Sequence, residues 1–329
     1  MDPAIRRFFV LSSEFSILLL LLAACSAPAP PAEEPAPAPQ APITGTQLEG
    51  YVRPYELAGP LVPASTTMAS AWDVPANPLT DEELGTSAEA DLVRRGYRLF
   101  TDTPSEAARL SHNRLSCNNC HLNAGQRELS RPLVGVDAMF PEHNKRAGRD
   151  FTLEDRIIGC FMRSENATGG SERPEPDAPE VAALAAYLRW LSRGYPKGEN
   201  PSWRKKNTIA AGRLIPVDQL DPVKGEAVYR EKCQSCHGLD GQGVQIGDKK
   251  AGPLWGPESW NDGAGAARTY TLAGIVRYAM PYLAPGSLTD EEAQHVAAFI
   301  TSKPRPVYPF KDQDYRTEPV PADAVYYRR

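Results

Sequence analysis

The chain has few of the side chains that most often carry chemistry: its 329 residues include six cysteines, five histidines and five methionines. It has no excess of positive charge. Against 41 aspartates and glutamates stand 36 lysines and arginines, a formal net charge of -5, and that balance gives no sign of a nucleic-acid protein. Nor is there an uninterrupted apolar run of spanning length. The one candidate, Phe8 to Ala24, is broken by Ser12, Ser13 and Glu14, and a charged side chain in hydrocarbon is costly.

With thiols and imidazoles so scarce, their placement is informative. Cys117-Asn118-Asn119-Cys120-His121 and Cys233-Gln234-Ser235-Cys236-His237 repeat one pattern, Cys-x-x-Cys-His, and use four of the six cysteines and two of the five histidines. That order suits covalent haem: two thiols add to the vinyl groups of the macrocycle, two residues span the gap, and the next histidine reaches the iron. A zinc site needs a second ligand pair beside each motif, and a thioredoxin-like dithiol has no use for the following histidine. The sequence thus predicts two covalently bound haem c groups, on Cys117 and Cys120 and on Cys233 and Cys236, with His121 and His237 as iron ligands.

The N-terminus predicts export. Arg6 and Arg7 precede an apolar run, chiefly Phe15 to Leu22, that closes on Leu22-Ala23-Ala24-Cys25. This looks like a lipoprotein signal, which would leave a lipidated Cys25 at the start of the mature chain on the periplasmic side of a bacterial membrane. An ordinary cleaved signal peptide, giving a soluble periplasmic protein, and an uncleaved anchor helix are the other readings. Residues rich in proline and alanine follow, among them Pro28-Ala29-Pro30-Pro31; such a segment extends as a tether and cannot assemble a core.

The expected fold class is mainly α, with two tandem cytochrome c-like haem domains after the signal peptide and Pro-rich tether. The reading assigns 1–24 to the signal peptide, 25–43 to the tether, 44–85 to an N-terminal extension and 86–195 to a first haem domain. A linker, 196–220, leads to a second haem domain, 221–310, and a tail, 311–329. In the first domain a helix is expected from Ala88 to Phe100, capped by Thr86 and Glu89, with Leu92, Leu99 and Phe100 in the core. A closing helix is expected from about Pro179 to Ser192. The second domain should open at Asp221-Pro222 and close with a helix capped by Thr289 and Glu292.

Each iron needs a second axial ligand or an open position. After the second motif the one methionine is Met280, just before the closing helix, and a thioether there would raise the reduction potential and suit electron transfer. After the first motif stands Cys160, with no intrachain partner once Cys25 is lipidated and four thiols hold haem. Thr152 and Asp155 predict a capped helix over about 153–164, on which Arg156, Cys160 and Ser164 share one face. Lys145, Arg146, Arg149 and Arg163 add positive charge nearby. Cations and iron both favour a thiolate, so a cysteine-ligated haem beside an anion pocket is expected, with a buried inert thiol and an intermolecular bridge as alternatives.

The chain resembles the diheme thiosulfate dehydrogenases, and more distantly the SoxA subunit of sulfur-oxidising cytochromes, from about Leu92 to Pro309. The likeness rests on the first haem motif with its flanks, 115–125; on Arg156-Ile157-Ile158-Gly159-Cys160-Phe161-Met162-Arg163-Ser164; and on Tyr187-Leu188-Arg189-Trp190-Leu191-Ser192. In the second half it rests on Pro253-Leu254-Trp255-Gly256, Asn261-Asp262-Gly263-Ala264-Gly265 and Met280-Pro281. The resemblance implies an enzyme that joins two thiosulfates into tetrathionate, in some members reversibly, and hands electrons to a periplasmic acceptor such as another cytochrome c. It implies Cys160 as distal ligand of the catalytic haem, and Arg146, Arg156 and Ser164 as the groups that hold sulfonate. Some members carry lysine directly before the methionine; here that residue is Ala279, and plain His237/Met280 ligation is the simpler expectation. A non-catalytic electron carrier, a diheme peroxidase and a SoxA-like subunit are the other classes.

Overall fold

The computed structural model describes residues 61–62, 74–167, 173–246 and 249–327; the expected signal peptide, Cys25, the expected tether and most of the expected 44–85 extension lie outside them. Helix α1, Ala88–Thr101, begins where the Ser87 hydroxyl accepts a hydrogen bond from the Ala90 amide. The cap is thus one residue later than Thr86, because Ser87 is the extended residue whose oxygen reaches the third amide of the helix. The buried face of α1 runs through Ala90, Val93, Gly96, Leu99 and Phe100. Leu92 falls off that face and is 38% exposed, against the expectation that placed it in the core.

Helix α2, Leu153–Arg163, carries the expected capping box between Thr152 and Asp155, and α3, Pro179–Trp190, starts on a proline that lacks only an amide no helix would use. α1 crosses α3 at Gly96. A Cβ there would collide with the Ala183 carbonyl oxygen and stand 2.7 Å from Tyr187 Cβ, so only glycine permits the approach. Around the crossing Tyr97, Phe100, Tyr187 and Trp190 pack edge to face, tilted or stacked, in a core that includes Ile157, Phe161 and Leu184.

The second half repeats the device. α4, Pro222–Lys232, is capped by Asp221, whose carboxylate accepts from the Val223 and Lys224 amides. α5 spans Thr269–Ala279 and α6 spans Asp290–Thr301, the latter capped reciprocally by Thr289 and Glu292. α4 meets α6 at Gly225, where a Cβ would collide with the His295 carbonyl oxygen and stand 2.9 Å from Phe299 Cβ. Tyr229, Trp255 and Phe299 cluster beside it. α5 is absent from the sequence reading: it has no side-chain cap, and only packing against α6 declares it.

Two short hairpins complete the fold: β1, Glu142–Asn144, pairs antiparallel with β2, Arg149–Phe151, and β3, Gln245–Ile246, with β4, Lys249–Lys250. The C-terminal segment is structural. Tyr308 enters the core of the first half, and Asp323 accepts from Arg268 at 2.6 Å and from the Tyr270 amide at 3.1 Å. Among the described residues no helix is long and apolar enough to cross a membrane.

Candidate functional site

Cys117–Cys120 forms one helical turn, so both thiols project from a single local unit ahead of His121. His121 Nδ1 lies 2.6 Å from the Arg131 carbonyl oxygen. With Nδ1–H donating to that carbonyl, Nε2 keeps its lone pair and is the nitrogen left for iron. Burial pushes the imidazole down to about 4, against the hydrogen bond to the Arg131 carbonyl that raises it and with the Arg131 and Arg156 charges lowering it further, so it is neutral at pH 7. The loop that delivers this carbonyl is strained: Asn123, Ala124, Leu129 and Arg131 all adopt positive φ, each at a cost of order 1 kcal/mol.

The second motif is built alike. Gln234–His237 is a helical turn, and His237 Nδ1 lies 3.2 Å from the Gly252 carbonyl oxygen. Cys117, Cys120, Cys233 and Cys236 are free thiols, half-buried. Burial pushes Cys120 up to about 11 and Cys233 up to about 12, so both are protonated thiols at pH 7. Paired thiols and an oriented imidazole fit haem at both motifs.

Cys160 is the fifth free thiol among the described residues. It stands on α2 with Arg156 one turn before and Ser164, the helix cap with α-helical backbone, one turn after, so the expected shared face holds. Along it Arg156 is exposed, while Cys160 and Ser164 are half-buried. Burial pushes the Cys160 thiol up and the Arg156 charge pulls it back, with Arg131 and Arg163 adding to that pull. Cys160 in turn acts electrostatically on Cys117 and Cys120, which sets it beside the first attachment motif.

Arg146 is placed differently from Arg156 and Ser164. It sits in the turn between β1 and β2, donates from Nη1 to the Gly263 carbonyl and lies 5.7 Å from the Tyr315 ring. Arg163 shares the Gly263 carbonyl at 3.0 Å, forms a fork to Asp314 at 2.7 and 2.8 Å, and lies 3.9 Å from the Tyr308 ring centroid. The wall beside α2 is therefore made by the second half and the C-terminal segment, which the sequence reading treats as a tail.

Three residues in this region escape sequence reasoning. Arg131 turns its charge toward Cys120, Cys160 and Arg156; its only signal is its place before a proline. Glu165 is 2% exposed, its Oε2 has no hydrogen-bond partner among the described residues, and burial pushes its carboxyl up to about 8. It is largely neutral at pH 7; where it ionises, its charge pushes the neighbouring thiols Cys117, Cys120 and Cys160 further up. Arg277, fully buried, holds Asp290 at 2.6 Å and the Gly286 carbonyl at 2.8 Å. That clamp spans the turn between α5 and α6 on which Met280 stands, directly after the last residue of α5.

Residues 107–196 match the family model for the SoxA/TsdA cytochrome c domain, and residues 221–300 match that for cytochrome C oxidase, cbb3-type, subunit III. Thiosulfate dehydrogenase of Allochromatium vinosum is 39% identical over 240 residues, covering 70% of this chain and 82% of the relative. That of Stutzerimonas stutzeri is 37% identical over 233 residues, 70% of this chain and 73% of the relative. Among solved structures, the thiosulfate dehydrogenase TsdBA of Marichromatium purpuratum superposes with a TM-score of 0.62 at 33% identity. The match covers 69% of this chain and 49% of that one, so this chain spans about half the length of the solved protein.

Proposed function

This chain belongs to the thiosulfate dehydrogenase family, and we propose that it joins two thiosulfates into tetrathionate at the first haem and passes the electrons on through the second. It is an enzyme, a thiosulfate dehydrogenase of cytochrome c type carrying haem c. The observation that carries the finer reading is the α2 face: Arg156, Cys160 and Ser164 in line beside Cys117, Cys120 and His121.

His121 and Cys160 would hold the iron of the first haem, and His237 and Met280 that of the second. Two covalently bound haem c groups supply two one-electron centres, matching a two-electron oxidation. The rest falls to the chain's own groups. Thiosulfate is a dianion, and guanidinium presents a planar fork to its sulfonate oxygens; Arg156 is the exposed cation at the mouth, with Ser164 as a hydroxyl donor. Bringing two dianions together is repulsive, and Arg131 and Arg156 lessen that repulsion. Neutral Glu165 avoids adding to it.

In the sulfur chemistry we favour, the Cys160 thiolate and the terminal sulfur of the first thiosulfate form an S–S bond, and the haems would supply the sink for the two electrons given up. A second thiosulfate then attacks the outer sulfur of that adduct, forming tetrathionate and returning the Cys160 thiolate with charge conserved.

The segment ending Leu22-Ala23-Ala24-Cys25 supports export and a lipid anchor at Cys25 on the periplasmic side of a bacterial membrane, with another periplasmic cytochrome c as electron acceptor. Steady-state assays of purified holoprotein with thiosulfate and with tetrathionate test the activity. Cys160→Gly should abolish thiosulfate oxidation and the low-spin thiolate signature while leaving haem content and the second-haem spectrum unchanged. Turnover unaffected by that substitution would overturn the catalytic role of Cys160.

A further inference from the structure

Arg127 is 1% exposed, yet among the described residues it has no counter-ion. Its Nη2 donates to the Tyr282 carbonyl at 3.1 Å, its guanidinium carbon lies 4.5 Å from the Tyr282 ring centroid, and its Nη1 is buried without a hydrogen-bond partner. One neutral carbonyl and one ring face are poor compensation for a guanidinium taken out of water, since buried charges are ordinarily paired. The site is suited to hold an anion.

Its position says which anion. Arg127 lies on the strained loop between His121 and Arg131, the same loop whose Arg131 carbonyl orients His121. Its partner Tyr282 follows Met280-Pro281 in the second half, and Leu129, two residues on, packs in the second-half core. Arg127 therefore bridges the backbone behind the first proximal histidine and the turn that carries Met280. Each haem c brings two propionate carboxylates, and guanidinium is the side chain best matched to a carboxylate by its fork of donors.

We propose that Arg127 is a positioning residue that pairs with a haem propionate through its unpartnered Nη1 while Nη2 holds the Tyr282 carbonyl. One guanidinium thereby ties the propionate edge of a haem to the Met280 turn. This rests on the reading of both motifs as haem sites with Met280 as a ligand. Removing the cation favours the ferric state, so the potential of the paired haem should fall; loosening the turn should weaken the thioether-to-iron bond.

The test uses holoprotein with resonance Raman spectra of the propionate-bending modes, redox titration, and the methionine-to-iron absorption band at the red edge of the visible spectrum. Arg127→Lys keeps the charge but not the fork; it should shift the propionate modes of one haem and leave its potential close to wild type. Arg127→Gln should shift the same modes, lower that potential and diminish the band. Spectra taken with only the higher-potential haem reduced assign the propionate to one haem or the other. If Arg127→Gln does not accumulate as holoprotein, the Raman comparison with Arg127→Lys still decides. Propionate modes identical to wild type in Arg127→Lys would overturn the proposal. Fewer than two haems, or no methionine band, in wild type would instead overturn the haem-site reading beneath it.

Discussion

Gly252 is packed against Leu115: a Cβ at Gly252 would collide with Leu115 Cδ2 and stand 3.3 Å from Asn119 Nδ2. Gly252 is also the residue whose carbonyl faces His237 Nδ1. The group that orients the second imidazole thus rests on the side chains of the first attachment motif. Arg114 adds a cross-link, with its Nη2 3.3 Å from both the Gln242 carbonyl and side-chain oxygens. The two motifs are thus in close contact there, which suits electron transfer between them.

Gly252→Val should therefore act at both ends. Overpacking this half-buried contact against Leu115 costs about 1 to 3 kcal/mol, and the loss should appear in denaturant midpoints. The second-haem spectrum should change with it, because the carbonyl that orients His237 must move. A destabilised variant with an unaltered second-haem spectrum would show that Gly252 only fills space.

The paired crossings at Gly96 and Gly225 predict a matched pair of effects. Gly96→Ala and Gly225→Ala each drive a methyl group into a backbone carbonyl oxygen, which cannot rotate away, so each should cost about 3 kcal/mol. Gly159→Ala, on α2 with its nearest neighbour atom at 3.9 Å, should instead stabilise by about 0.5 to 1 kcal/mol through helix propensity. Thermal or urea unfolding of the three variants checks the contrast.

These glycines show what the sequence could and could not say. The capping boxes at Thr152 and Thr289 and the Asp221-Pro222 start were legible because capping depends on residues a few positions apart. The Cys-x-x-Cys-His motifs and the Arg156, Cys160, Ser164 stripe were legible for the same reason. Gly96 and Gly225 were not, because their meaning lies in a partner helix far along the chain. Arg163 was visible as a charge, but its tie to Asp314 depends on the C-terminal segment folding back. Arg131, Glu165 and Arg277 acquire their roles from burial, which no local pattern announces.

Asp314→Ala should expose how far the C-terminal segment supports α2. It removes the carboxylate from a largely buried fork with Arg163, whose charge-assisted bonds together hold about 3 kcal/mol. We expect a loss of that order in stability and a raised KM for thiosulfate with a smaller change in kcat. A KM unchanged in a destabilised variant would confine the pair to a structural role.

Glu165 predicts a pH effect with a definite sign. Its folded pKa of about 8 lies above the unfolded value of 4.5, so the folded chain binds the proton more tightly. The stability this confers is full below about pH 4.5 and is lost as pH rises toward 8. Glu165→Gln removes that dependence and should be more stable than wild type near pH 8, by on the order of a few kcal/mol. The comparison is made between variant and wild type at each pH, so that the other titrating groups cancel. Parallel stability curves across pH 4.5 to 8 would rule out a buried titrating carboxyl at this position.

The α2 face predicts a ranking. Arg156→Lys retains the charge at the mouth but loses the bidentate fork, and a charge-assisted contact is typically worth about 1.5 to 3 kcal/mol, so kcat/KM for thiosulfate should fall roughly tenfold to a hundredfold. Ser164→Ala removes one neutral donor, worth about 0.5 to 1.5 kcal/mol, and should cost less. Arg146→Lys is a different case, because Arg146 is engaged with the Gly263 carbonyl and the Tyr315 ring; its effect should include a loss of stability that Arg156→Lys does not show. Haem spectra of Arg156→Lys and Ser164→Ala should match wild type. If Ser164→Ala proves more damaging than Arg156→Lys, the hydroxyl rather than the guanidinium fork is the principal hold on the sulfonate, and the reading of Arg156 as the cation that receives thiosulfate fails.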